Sequence, residues 1–157
     1  MADNIILDMW KSLADSPFVM VNLQSGQQHG EPMHAQLDQD ADDCFWFYTT
    51  KSNRLAPGGK AMVQFSSKDH KLFACLRGTL SEVKDTDTID KYWSNKVEAW
   101  YQDGRDDEQL LMLRFDLEDA EIWSVDPEIS GLIKLATGAT IKRTEMGDHK
   151  LVSFNKN

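Results

Sequence analysis

Apolar residues recur along this chain at two spacings, one at its start and another through most of the remainder. Ile6, Met9, Trp10 and Leu13 fall on one face of a helix, with Asp3 placed to cap its start and Ser16-Pro17 ending the pattern. From Phe18 the spacing changes to alternation. Residues 18–23 predict a strand closed by Ser25 and Gly26, and Met33, Ala35 and Leu37 then alternate with Pro32, His34 and Gln36 to complete a hairpin. An acidic tip at residues 38–43 leads into residues 44–49, whose aromatic content predicts a strand buried on both faces.

Residues 51–59 break the β pattern. Residues 61–65 and 72–83, joined by residues 66–70, predict a second hairpin, with Gly78 a bulge or a point of close backbone approach. Thr86 or Asp87 is placed to cap a short helix carrying Ile89, Tyr92 and Trp93. Beyond a polar loop around Gly104, residues 110–115 and 120–125 predict two further strands. Residues 129–136 fit a helix turn or a strand, and residues 151–154 fit a last edge strand. The fold class is therefore mainly β, of the α+β kind: a six- or seven-stranded antiparallel barrel with short flanking helices, because closure removes exposed sheet edges. At 157 residues, with no repeat and no low-complexity linker, residues 1–157 are expected to form one domain.

Charge narrows the partners. With 17 basic against 26 acidic residues, the formal charge of −9 repels phosphate backbones and anionic lipid headgroups, so neither nucleic acid nor a membrane is expected as a partner. Cys44 and Cys75 lie in alternating apolar runs and read as small buried hydrophobes in a reducing compartment. Ala2, Asp3 and Asn4 do not resemble the basic start of a signal peptide, which points to the cytoplasm. His29, His34, His70 and His149 lack zinc-type spacing, so no metal site is expected; glycine-rich dinucleotide or phosphate loops are also missing, and no nucleophile stands with a marked base.

One stretch departs from the overall acidity. Residues 44–68 contain no Asp or Glu, whereas Lys51, Arg54, Lys60 and Lys68 are basic. Directly after the aromatic strand, Thr49, Thr50, Lys51, Ser52, Asn53 and Arg54 offer hydroxyls, backbone N–H groups and a guanidinium, the groups that hold a phosphate dianion. A helical turn starting at Ser52 or Asn53 would add a favourable dipole. A polar inter-strand turn carries such residues by default as well. Trp46, Phe47 and Tyr48 can flank a planar ring or fill a core.

The run Phe47-Tyr48-Thr49-Thr50-Lys51-Ser52-Asn53-Arg54-Leu55-Ala56, followed by residues 61–65 and Arg77-Gly78-Thr79-Leu80, resembles the flavin mononucleotide-binding split-barrel family typified by pyridoxamine 5'-phosphate oxidase. Gly26, Pro32-Met33, residues 45–48 and Ala120-Glu121-Ile122-Trp123 resemble its general stress protein branch. The resemblance implies a stress-related redox protein, a homodimer holding flavin mononucleotide (FMN) between two barrels, with flavin adenine dinucleotide (FAD) as the alternative. It makes Thr49 and Arg54, in a match that includes Tyr48, phosphate contacts, with Lys51, Ser52 and Asn53 as neighbours. Met33 and His34 would run along the ring and ribityl chain. Trp100 and Trp123 would approach from the partner subunit, or else pack internally. Glu31 stands where the family frequently has Arg, and Leu55 where it has a second basic residue. Beyond Trp123 nothing matches the Arg-bearing motif that holds pyridoxamine phosphate, so that oxidase activity is not expected. A non-catalytic flavin sensor or store, a barrel without ligand, or a heme-binding relative using His34 or His70 are the alternative readings.

Overall fold

The computed structural model describes residues 2–124 and 149–154. Helix α1 (Ala2–Asp15) is followed by strands β1 (Phe18–Leu23), β2 (Glu31–Gln36), β3 (Cys44–Thr50), β4 (Gly59–Ser66) and β5 (Leu72–Glu82). Two short helices, α2 (Thr86–Lys91) and α3 (Asn95–Glu98), and a 3-10 turn (Gly104–Asp106) precede the long β6 (Leu110–Ser124) and then β7 (His149–Ser153). All the pairings are antiparallel, in the order β3-β2-β1-β4-β5-β6-β7. Because β3 also pairs with β6, six strands close on themselves as a barrel and β7 lies outside as an extra strand.

Alternation decides what goes inside. Phe45, Phe47, Leu76, Leu113 and Phe115 are fully buried and fill the core. Helix α1 lays Ile5, Met9, Trp10 and Leu13 against it, with Trp10 edge-on to Phe45 at 6.2 Å. Ile6 is only half-buried, and α1 already includes Asp3, so Asp3 stands inside the first turn rather than at the cap. The cap of α2 is Asp85, one residue earlier than Thr86: its carboxylate accepts from the Asp87 N–H at 3.2 Å and the Thr88 hydroxyl at 2.7 Å. The polar segment around Gly104 carries α3 and the 3-10 turn.

The two strands expected after it are one. Gly78 explains how. A Cβ there would stand 2.2 Å from the Asp116 carbonyl oxygen, so only glycine lets β5 and β6 approach this closely. The register shifts between Arg77 and Gly78, whose partners are Asp119 and Leu117; Glu118 is the extra residue of a bulge. The side-chain phase of β6 slips there, from buried Leu117 to buried Ala120, and the strand continues. Glu118 turns outward to Lys60 and Thr79, while Asp119 pairs with Arg77. The edge strand expected at 151–154 is β7, and the segment 129–136 and Val125 lie outside the described residues. Among the described residues no helix is long and apolar enough to cross a membrane.

Candidate functional site

Strand β3 has two different faces. Phe45 and Phe47 point into the core, while Trp46, Tyr48 and Thr50 are half-buried on the outside, beneath the segment that carries α2 and α3. Trp46 stacks on Tyr92 at 4.9 Å, and Tyr48 meets Trp93 edge-on at 5.7 Å. Two phenols fasten this cover to the barrel: Tyr48 donates to the Ile89 carbonyl and Tyr101 to the Thr49 carbonyl, each at 2.5 Å. Burial pushes the Tyr101 hydroxyl up to about 12 and that of Tyr48 higher still, so both remain protonated donors at neutral pH. Ser94 caps α3 by accepting from the Val97 N–H at 3.3 Å, and Val97 is buried beneath it.

Between this cover and the outer faces of β2 and β3 lies a cavity of about 550 Å³, within the range of small-molecule sites. Of the residues expected from the sequence, Met33, His34, Tyr48, Thr49, Thr50, Asn53 and Trp100 line it. Lys51, Ser52 and Arg54 are in the adjoining turn. Two residues stand elsewhere. Phe47 is wholly buried in the core, because the strand alternation turns it inward. Trp123 stacks on His149 at 5.0 Å, at the end of β6 remote from the residues that pair with β3.

Sequence reasoning missed Phe18, Pro32, Gln36, Ser94, Lys96, Val97 and Tyr101 on the lining. The available signal was Ser94 three residues before Val97, a helix start between the aromatic pairs Tyr92-Trp93 and Trp100-Tyr101. His34 lies against the Phe18 ring at 5.1 Å, and its Nδ1 is 3.0 Å from the Gln36 amide nitrogen. Burial, and then the Lys96 charge, hold its pKa below the ordinary value, so His34 is neutral at pH 7. His70 is at the β4–β5 turn, outside the cavity lining.

The segment after β3 is a series of tight turns and forms no helical turn at Ser52 or Asn53, so no helix dipole is added there. Asn53 N–H donates to Thr50 O at 3.0 Å, Ala56 N–H to Asn53 O at 3.0 Å, and Gly58 N–H to Leu55 O at 2.9 Å. The Asn53 side-chain oxygen accepts from Leu55 N–H at 2.8 Å, the local bond that makes Asn a turn residue. Leu55 is fully buried, which accounts for an apolar residue in this polar run. Gly58 has φ +68°, and a Cβ there would lie 2.8 Å from the Leu80 carbonyl oxygen, so glycine lets the turn rest on β5.

The charge at this turn differs from the acid-free reading, because an acid arrives from β2. Glu31 accepts from Arg54 Nε at 3.0 Å and from Asn53 Nδ2 at 2.5 Å, and Arg54 Nη1 donates to His29 O at 2.9 Å. Lys60 is paired with Glu118. Lys51 and Lys96 form no salt bridge with a described residue, and Lys96 is on the cavity lining. The site thus offers aromatic and apolar walls, hydroxyl and amide donors at one end, and cations of which Arg54 is already engaged.

This arrangement has relatives. The general stress FMN/FAD binding protein of Xanthomonas citri is 35% identical, covering 81% of this chain and 93% of its own, with a TM-score of 0.74. A protein named as general stress protein 26 from Jannaschia sp. CCS1 is 28% identical over 97% of this chain and 99% of its own, with a TM-score of 0.77. A Clostridium acetobutylicum protein related to general stress protein 26 shares the fold at 18% identity, over 98% and 97% of the two chains, with a TM-score of 0.69. No curated protein sequence matches significantly. Residues 5–146, from α1 past the cavity walls and the β6 bulge, match the family model described as pyridoxamine 5'-phosphate oxidase like, and the chain belongs to that family.

Proposed function

We propose that the chain works as a single flavin-binding domain, pairs as a homodimer, and serves as a redox protein in stress, with FMN or FAD as its cofactor. The observation that carries this reading is the cavity itself: it joins aromatic and apolar walls to a donor-rich turn, the two halves a ring with an anionic tail requires. Met33 and His34 extend along one wall, Tyr48 and Trp100 supply aromatic surface, and Thr49, Thr50 and Asn53 offer polar contacts towards the tail end. Lys51 and Ser52 stand next to them. Bound flavin supplies hydride or electron transfer; the protein's own work is to position it, exclude water and set the local charge.

Pairing is supported by what the surface leaves uncovered. Phe18 is 68% exposed and Trp100 85%, and both line the cavity, so a second copy docking there would cover apolar surface and complete the walls. The two free thiols suit a reducing cytoplasm, and the charge of −9 argues against nucleic acid or lipid as partner. The relative that binds FMN/FAD supports the choice of ligand.

An absorbance spectrum of the purified protein, followed by titration with FMN and FAD, tests the reading. Flavin bands, or saturable uptake of either cofactor, are expected. A colourless protein that takes up neither would overturn it. Reduction of the bound flavin by NADH or NADPH then separates an oxidoreductase from a flavin store.

A further inference from the structure

The cavity lining runs along β2 from Pro32 to Gln36, so Glu31 stands just past it, at the end where Asn53 and the turn meet the sheet. The Glu31 side chain is only 19% exposed, and both of its oxygens are used, one by Asn53 and one by Arg54. Arg54 has spent its Nε on Glu31 and one Nη1 hydrogen on the His29 carbonyl, leaving chiefly Nη2 for anything else. A ligand anion arriving at Asn53 therefore meets a carboxylate and its cation together, a nearly neutral pair and not a bare guanidinium.

We propose, on the flavin reading above, that Glu31 sets which flavin the cavity prefers, by penalising a terminal phosphate monoester. The tail of FMN ends in such a group, with about −1.5 to −2 charges at pH 7. That of FAD places one charge on each of two phosphates, and riboflavin ends in an alcohol. Repulsion from a poorly solvated carboxylate scales with the charge brought beside it, so Glu31 acts most against FMN, less against FAD and not against riboflavin. Discrimination by a repulsive group is a recognised route to specificity.

The test is equilibrium binding of FMN, FAD and riboflavin to the wild-type dimer or monomer as purified and to Glu31→Gln, which keeps the shape and removes the charge. Tightening of FMN by at least about tenfold is expected, with about threefold or less for FAD and no change for riboflavin. A second variant, Arg54→Gln, leaves Glu31 without its cation and is expected to weaken FMN more than FAD; thermal melts establish that each variant is folded. An unchanged ratio of FMN to FAD affinity in both variants overturns the proposal. So does weaker FMN binding in Glu31→Gln, which would show that Glu31 holds Arg54 ready for the phosphate. If none of the three flavins binds any of the proteins, the flavin reading fails and takes this one with it, a result distinct from binding with an unaltered preference.

Discussion

Strand β4 is bounded by two turns of nearly the same composition. Lys51-Ser52-Asn53-Arg54 precedes it and Ser67-Lys68-Asp69-His70-Lys71 follows it. In the second turn the polar groups satisfy one another: the nearly buried Ser67 hydroxyl accepts from the N–H groups of Lys71 and Leu72 at 3.1 and 2.9 Å, and donates to Asp69 at 2.7 Å. In the first, the anchor is the buried Leu55, and the polar neighbours Asn53 and Arg54 bond to Glu31 and to the His29 carbonyl, outside the turn. Composition is thus a poor guide to a binding turn. What distinguishes it is a buried apolar anchor, with the Asn53 amide nitrogen and the Arg54 guanidinium reaching across the fold to Glu31 and His29 instead of closing within the turn.

The comparison is broken most directly by removing the apolar anchor. Leu55→Ala should cost about 3 kcal/mol of stability, within the range for fully buried leucines, as read from denaturant unfolding. A cost below about 1 kcal/mol would mean that the surrounding core, not Leu55, holds the turn.

Charge reversal tests the binding side. Arg54→Glu would oppose a second carboxylate to Glu31 and remove the guanidinium, and should weaken FMN about a hundredfold, or about 2.7 kcal/mol. Lys68→Glu makes the same change in the other turn and should leave affinity as it was. Titration of both variants decides: equal losses would show that only overall charge matters and that the turns do not differ.

Ser67→Ala exchanges the roles. It leaves two backbone N–H groups without the Ser67 hydroxyl and should cost about 1–2 kcal/mol in stability, while flavin affinity of the folded protein stays the same. An effect on affinity comparable to that of Arg54→Glu would erase the distinction.

Much of this was legible in the sequence where a pattern is local. The alternation in residues 18–23 marked β1, the aromatic content of residues 44–49 marked β3, and Gly78 marked the bulge, because period, side-chain type and backbone freedom are carried by neighbouring residues. The unity of β6 was not legible: one extra residue, Glu118, shifts the phase, and the run Asp116, Glu118, Asp119 looks like a loop until the basic residues of β4 and β5 stand opposite it. The site divides in the same way. Thr49, Thr50 and Asn53 were visible as turn donors, whereas the pairing of Arg54 with Glu31, 23 positions earlier, depends on how β2 and the turn meet in space. Phe47 stayed open between ring wall and core, since an all-aromatic run has no alternation to read, and the fold turns it into the core.

The smallest effect separates the turns by pH. The Ser67 hydroxyl, and then the Lys71 N–H, hold the Asp69 carboxyl below its ordinary value. A carboxyl whose pKa is lower in the folded than in the unfolded chain contributes stability above the unfolded value, near about 4, and that contribution disappears as pH falls through the folded value. Asp69 is solvent-exposed, so screening keeps the contribution small. Asp69→Asn should therefore flatten slightly the loss of stability with acid below about pH 4, measured as thermal midpoint against pH, and leave the neutral-pH preference among flavins untouched. If the acid slope is unchanged, the second turn does not draw its stability from the charged Asp69 bond, and its self-contained character would rest on the Ser67 hydroxyl and the two backbone N–H groups alone.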